Sequence, residues 1–232
     1  MKITGSTAFV TGANRGLGLQ FATLLRDRGA TVYAGARDPD TVTLDGVIPV
    51  RVDVTDHASV EAAASAAPGV NLLVNNAGTF STGPLLASEG RDLRRELETH
   101  VHGPLAVTRA FTPSLTGAGG AVVNVLSVLS WVSMPGTGAY SIAKAAEWAL
   151  TNGLRLELAP LGVSVTSVHV GYMDTDMAAG VDAPKADPAT VAAAVLDAVE
   201  NGDPEVLADA ISRQVRAGLA GGVQALYPQL SQ

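Results

Sequence analysis

Tyr140 and Lys144 stand four residues apart in Tyr140-Ser-Ile-Ala-Lys144. On a helix, residues at that spacing share one face. A free phenol has a pKa near ~10, too high to exchange a proton at neutral pH. A neighbouring ammonium and the positive end of a helix both stabilise phenolate and pull that value down. The pair therefore has the make-up of a tunable proton donor and acceptor. From Ala110 to Ala143 no residue is charged, and the chain has only three lysines, Lys2, Lys144 and Lys185. Lys144 is thus not part of a general basic surface. An isolated Tyr/Lys pair is more often a solvated helix face, so the decision rests on the elements around it.

Pro135, Gly136 and Gly138 end the preceding segment, and 139–159 reads as a helix with Tyr140 in its first turn. Near the start, Thr7-Ala-Phe-Val-Thr11 reads as a central strand. It runs into Thr11-Gly-Ala-Asn-Arg-Gly-Leu-Gly18, then a helix ending at Gly29. Strand, glycine loop and helix make a dinucleotide-binding opening, because glycines let backbone approach phosphates at a helix N-terminus. The spacing Gly12-x-x-x-Gly16-x-Gly18 departs from the usual Gly-x-Gly-x-x-Gly. A second strand, 31–36, is followed by Arg37. At that place an acidic residue takes the ribose 2′-hydroxyl of NAD, whereas arginine accommodates the 2′-phosphate of NADP. Ala36 offers no carboxylate, and Arg15 and Arg37 flank the expected phosphate, so NADP(H) is expected in preference to NAD(H).

A third strand over 47–54 sets Asp53 and Val54 at the carboxyl end of the sheet, where adenine would lie. A helix over 55–67 follows, capped by Thr55 or Asp56. The buried strand 70–75 ends in Asn75-Asn-Ala-Gly78, polar groups placed where a ligand crevice needs them. Residues 88–115 read as mostly helical, with a kink at Gly103-Pro104. His100 and His102, two apart on a helix, point to different sides and form no metal pair; no metal site is expected. Strands over 121–127 and 163–169, a lid-like loop over 171–185, a helix over 188–200, a strand over 205–208 and a helix over 209–219 complete the chain. Trp131, Met134, Tyr172, Met173 and Met177 suggest an apolar substrate pocket. The alternation predicts a single α/β domain over 1–232, a Rossmann-like, doubly wound parallel sheet of about seven strands. Residues 171–232 supply its substrate loop and last helices.

Composition narrows the function classes. Of 232 residues 47% are hydrophobic, and the net charge is −7 with no basic cluster. Nucleic acid and anionic membranes are therefore not expected partners. Cysteine is absent, which excludes disulfides, thiol catalysis and cysteine–zinc sites. No signal peptide fits ahead of the first strand, and prolines and glycines break the neutral run before it could span a membrane, so a cytoplasmic setting is expected.

Taken together, the glycine loop, Asp53-Val54, Asn75-Asn-Ala-Gly78, Ser127 and Tyr140-x-x-x-Lys144 resemble the short-chain dehydrogenase/reductase family over about residues 5–180. Ser127 precedes Tyr140 by thirteen residues, as in that family. The resemblance implies that Tyr140 exchanges a proton with a carbonyl or alcohol oxygen and Ser127 hydrogen-bonds that oxygen. Lys144 then lowers the tyrosine pKa and holds the nicotinamide ribose. Gly12, Asn14, Arg15, Gly16, Leu17 and Gly18 surround the cofactor phosphates, Asp53 binds adenine, and Asn75, Ala77 and Gly78 line the cofactor. Gly171 and Thr175 contact its nicotinamide side. Two departures stand out. His100 occupies the place of the family's asparagine, which supports a proton-relay water. It is expected to take over that relay if its ring points to the backbone carbonyl and water behind Lys144, the alternative being a structural histidine turned into the helix packing. Val170-Gly171 replaces Pro-Gly, which predicts a less rigid backbone there. The implied activity is hydride transfer between nicotinamide and a small apolar ketone, aldehyde or secondary alcohol, by a homodimer or homotetramer. The alternatives are an inactive nucleotide-sensing regulatory protein on the same fold, and a sugar-nucleotide epimerase relative, for which the chain is short.

Overall fold

The computed structural model describes residues 1–87, 90–117 and 119–230. Seven parallel strands form one sheet in the order β3-β2-β1-β4-β5-β6-β7. They are β1 (Thr7–Thr11), β2 (Thr31–Ala36), β3 (Ile48–Arg51), β4 (Leu72–Asn75), β5 (Ala121–Val125), β6 (Ser164–His169) and β7 (Glu205–Leu207). Alternate residues along each strand feed two apolar cores. Val10, Leu72, Val74 and Val123 pack with Phe21 and Leu25 of α1 (Gly16–Asp27) and Val195 and Leu196 of α6 (Pro188–Asn201). Phe9, Leu73 and Val122 pack with α2 (His57–Ala66), α4 (Gly103–Thr116) and α5 (Gly138–Leu158) on the opposite face. Burial of both faces accounts for the near-continuous apolar strands in the sequence.

Aspartates start three helices. Asp56 accepts from the Ala58 N–H, Asp187 from that of Thr190, and Asp209 from that of Ser212 at the head of α7 (Ala210–Gly218). Asp56, not Thr55, is thus the cap of α2. A further short helix, α8 (Gly222–Leu226), lies beyond the sequence expectation.

The long helical stretch differs from its expected form. Its predicted start at Ser88 lies outside the described residues. From α3 (Arg91–Leu97) the chain passes through a π-helical turn, Glu98–His102, into α4. Pro104 has no N–H to donate to the His100 carbonyl, so the regular ladder opens on its N-terminal side. The wide turn places His100 inward, 2% exposed, and leaves His102 outside. The expected separation of the two histidines holds. Among the described residues no helix is long and apolar enough to cross a membrane, and no cluster of metal-ligating side chains occurs.

Candidate active site

The strand order reverses between β1 and β4, where an open α/β sheet has its ligand crevice. The Thr11 hydroxyl donates to the Val74 carbonyl and accepts from the Asn76 and Ala77 N–H groups. The Asn76 carboxamide donates to the Thr11 and Gly12 carbonyls. This lock holds the glycine loop against the end of β4. Gly12 and Gly16 take φ of +67° and +54°, the region that favours glycine. A Cβ on Gly18 would stand 2.0 Å from the Gly12 oxygen, and one on Gly12 3.0 Å from the Ala77 Cα. The glycines therefore let the loop pack closely against the end of β4 and the start of α1, where cofactor phosphates would rest, and Leu17 is buried behind it. These residues fit a dinucleotide cofactor.

Other expected cofactor residues are distributed around this loop. Asp53 accepts from the backbone N–H and hydroxyl of Thr55. The Thr55 N–H foremost, then its hydroxyl and the charge of Arg37, hold the Asp53 carboxyl below its ordinary range although burial opposes them. Arg37 is exposed beside it, and Val54 packs where a Cβ on Gly103 would meet it at 3.1 Å. Asn14 donates to the Thr41 hydroxyl, and Arg15 forms an exposed ion pair with Asp176 at 3.6 Å. Thr175 approaches Gly16, its Cγ2 being 3.4 Å from where a Cβ would sit.

Asn75 departs from expectation. Its carboxamide donates to Thr108 and Asn124 inside the protein, because this position of β4 faces α4 instead of the crevice. Asn76 was expected only as part of the Asn75-Asn-Ala-Gly78 crevice motif, and its role as the lock on the glycine loop was not. Gly78 backs onto His100, whose Cε1 lies 2.8 Å from an added Cβ. The Gly171 N–H donates to the Asp209 carboxylate at 2.6 Å, so its backbone is pinned to α7 and the expected looseness is absent. The 171–185 loop is likewise tied by backbone bonds between Asp174 and Ala186 and between Ala186 and Tyr172.

Ser127 caps a 3₁₀ turn after β5, and its oxygen accepts from the Leu129 N–H. Tyr140 occupies the first turn of α5, between the edges of Phe80 and His100, with ring centroids 4.9 and 5.3 Å away. The Lys144 Nζ lies 5.7 Å from the Tyr140 ring centroid. It donates to the Val125 carbonyl at 2.8 Å and to the Glu147 Oε2 at 2.7 Å. Glu147 is 2% exposed, and the same oxygen stands 3.7 Å from the His100 Nδ1. The other ring nitrogen of His100 lies 2.9 Å from the Thr79 oxygen and 3.2 Å from Glu96, which in turn accepts from Ser81. The ring of His100 thus reaches Glu147, not the carbonyl that holds Lys144.

Burial, with the carboxylates beside the phenol, reverses the expected direction of the Tyr140 shift. Burial raises its pKa most, and the carboxylates of Glu147 and Glu96 raise it further; Lys144 and a hydrogen bond from Ser127 pull the other way without prevailing. For Lys144, burial lowers the pKa, but Glu147 and then Tyr140 lift it above its ordinary value. Sequence reasoning missed Glu147 and Glu96. The signal for Glu147 was present, since it sits three residues after Lys144, on the helix face that Tyr140 and Lys144 share.

The expected apolar residues do not form one pocket. Trp131 stacks on His169 at 3.8 Å and lies under Arg216, on the β6–α7 side. Met134 and Met177 are 47% and 54% exposed. A cavity of about 140 Å³ lies instead between the segment after β4 and the start of α5, lined by Ser81, Thr82, Pro84, Leu85, Asp92 and Ala139 among others.

The chain matches the short chain dehydrogenase family over residues 6–186. It is 34% identical over 175 residues to an NADPH-dependent 1-acyldihydroxyacetone phosphate reductase of Schizosaccharomyces pombe, covering 72% of this chain and 59% of that protein. It thus spans about three fifths of that relative's length. A short chain dehydrogenase from Burkholderia cenocepacia, solved in complex with NADP, superposes with a TM-score of 0.94 at 41% identity over 100% of both chains. One from Burkholderia phymatum, in complex with NAD, gives 0.86 at 26% identity over 100% of this chain and 97% of that one.

Proposed function

The chain belongs to the short chain dehydrogenase family, and on that premise we propose that it is an NADP(H)-dependent oxidoreductase of ketones, aldehydes or secondary alcohols. The observation that carries this reading is the meeting of Ser127, Tyr140 and Lys144 beside the crevice at the ends of β1 and β4. When bound, the reduced cofactor supplies a hydride to the carbonyl carbon. The Ser127 and Tyr140 hydroxyls hold the carbonyl oxygen. As the alkoxide develops, the phenolic O–H bond breaks and its proton passes to that oxygen. Lys144, fixed at two points, holds the cofactor ribose. Gly12, Gly16 and Gly18 admit the phosphates, with Asn14 and Leu17 in the same loop. Asp53 and Val54 flank the adenine, and Ala77, Gly78, Gly171 and Thr175 flank the nicotinamide half.

Preference for NADP(H) is supported by exposed Arg37 after β2, by Arg15 across the loop, and by Ala36 where an NAD site has a carboxylate. Both the S. pombe reductase and the B. cenocepacia structure involve this cofactor. The apolar wall offered by Phe80 and Leu85 favours a small substrate with an apolar substituent. Assembly as a homodimer or homotetramer and a cytoplasmic setting complete the reading; a chain without cysteine needs no oxidising compartment. The test is oxidation of NADPH and of NADH over a panel of ketones and aldehydes. Turnover favouring NADPH is expected. Tight NADPH binding with no turnover on any member would support an inactive regulatory protein instead.

A further inference from the structure

We propose that Glu147 is a positioning residue that neutralises Lys144 and thereby keeps Tyr140 a protonated phenol, biasing the site toward reducing a carbonyl over oxidising an alcohol. The proposal rests on the oxidoreductase reading above, whose proton donor it concerns.

Glu147 has no packing reason to be a carboxylate. On its helix face it neighbours Ala143, Lys144, Leu150 and Thr151, and the side chain is almost fully buried. A buried carboxylate is unfavourable unless an opposite charge meets it in good geometry. Here the partner is the lysine beside the reacting tyrosine, one turn back at 2.7 Å. A bare ammonium so near Tyr140, in a poorly screened interior, would draw the phenol strongly toward phenolate. With Glu147 attached, the tyrosine faces a near-neutral ion pair. The Val125 carbonyl holds the ammonium from its other side, so the pair keeps its orientation.

The other charged and titratable groups around the pair reinforce this arrangement. His100, from the π-helical turn, approaches the same Glu147 oxygen at 3.7 Å. Glu96, from α3, adds a second negative charge that acts on both Tyr140 and Lys144. His169, from β6, is also reached by the Lys144 charge and is held neutral down to about pH 4. Arg95 approaches Glu96 at 3.8 Å from an exposed position, so the Lys144–Glu147 pair beside Tyr140 decides the balance, and it favours the phenol. A phenol can give a proton to a carbonyl oxygen; only a phenolate can take one from an alcohol.

The test is an ultraviolet-difference titration of the cofactor-free protein. The chain has four tyrosines, and subtracting the Tyr140→Phe curve isolates the transition of Tyr140. Glu147→Gln keeps the shape and the hydrogen bond to Lys144 but removes the charge. It should lower the Tyr140 transition by about one pH unit or more. It should also move the alkaline fall of the reductive kcat to lower pH by the same amount. Lys144→Met provides the opposite test, because it leaves the Glu147 charge uncompensated and should raise the transition. A Glu147→Gln transition unchanged from the native one overturns the proposal. Should Glu147→Gln fail to fold, an unmoved or lowered transition in Lys144→Met does so. The titration needs no turnover, so a protein inactive on every substrate would sink the oxidoreductase reading without deciding this one.

Discussion

At the adenosine end of the cleft the charged side chains are exposed and loosely held. Arg15 and its partner Asp176 are 69% and 81% exposed. At the reaction end they are buried and pinned, with Lys144, Glu147, His100 and Glu96 all at 5% exposure or less. Charges in water are screened and their pairs contribute little to stability. They are free to exchange one partner for another, which suits recognition of a phosphate. Buried charges act on each other at several times that strength and fix protonation states. On the proposed reading, one end would choose the cofactor and the other would hold the proton.

Four perturbations sharpen that contrast. The largest effect is expected at the loop joining the two ends. Gly18→Val would drive a Cβ into the Gly12 carbonyl, so NADPH binding followed by fluorescence should be lost or the fold disrupted.

The second concerns burial. His169 is fully buried, and its pKa is lowered to about 4 by burial first and by the charges of Arg216, Lys144 and Arg155 after it; a hydrogen bond to the Ser127 carbonyl opposes them. A histidine whose folded pKa is depressed stays neutral while the unfolded chain takes up a proton. Stability attributable to it is therefore full above about pH 6.5 and falls toward pH 4, by about 3 kcal/mol in all. Denaturant unfolding at a series of pH values should show this slope, and His169→Gln should flatten it.

At the exposed end, on the proposed reading, Arg37→Asp would remove a charge-assisted contact to the 2′-phosphate and add repulsion. It should change the NADPH/NADH ratio of kcat/KM by about 10- to 100-fold, leaving kcat with the better cofactor little altered. The smallest effect is that of salt. Raising ionic strength should weaken NADPH affinity a few-fold through Arg15 and Arg37, while the Tyr140 transition stays fixed, because the buried cluster is little screened.

The two ends also differ in how far they could be read from sequence. The glycine loop, Arg37 and the strand ends are local features, and the order of strands and helices carries them to the crevice. Tyr140, Lys144 and Ser127 were likewise legible from spacing. The helix faces and the parallel sheet followed from apolar periodicity. Asn75 was misplaced because strand alternation turns neighbouring side chains to opposite faces, and adjacent asparagines look alike in a sequence. Trp131 was assigned to a pocket by its apolarity, yet it stacks on His169 from a strand remote in sequence. The cluster behind Tyr140 was the least legible part. It joins Glu96 and His100 of the helical stretch before α4 to Glu147 of α5, and the π-helical turn that aims His100 inward has no periodic signature. The downward shift expected for Tyr140 came from counting Lys144 without the burial of the phenol, the largest influence, and without the carboxylates beside it.

The most direct test of the central claim, that Tyr140 gives the proton while other residues hold the cofactor, is Tyr140→Phe. NADPH affinity and single-turnover hydride transfer should be measured on the same preparation. The account predicts NADPH affinity within about two-fold of the native protein and turnover reduced by at least ~10²-fold, the scale for losing a general acid. Near-native turnover in Tyr140→Phe would contradict it.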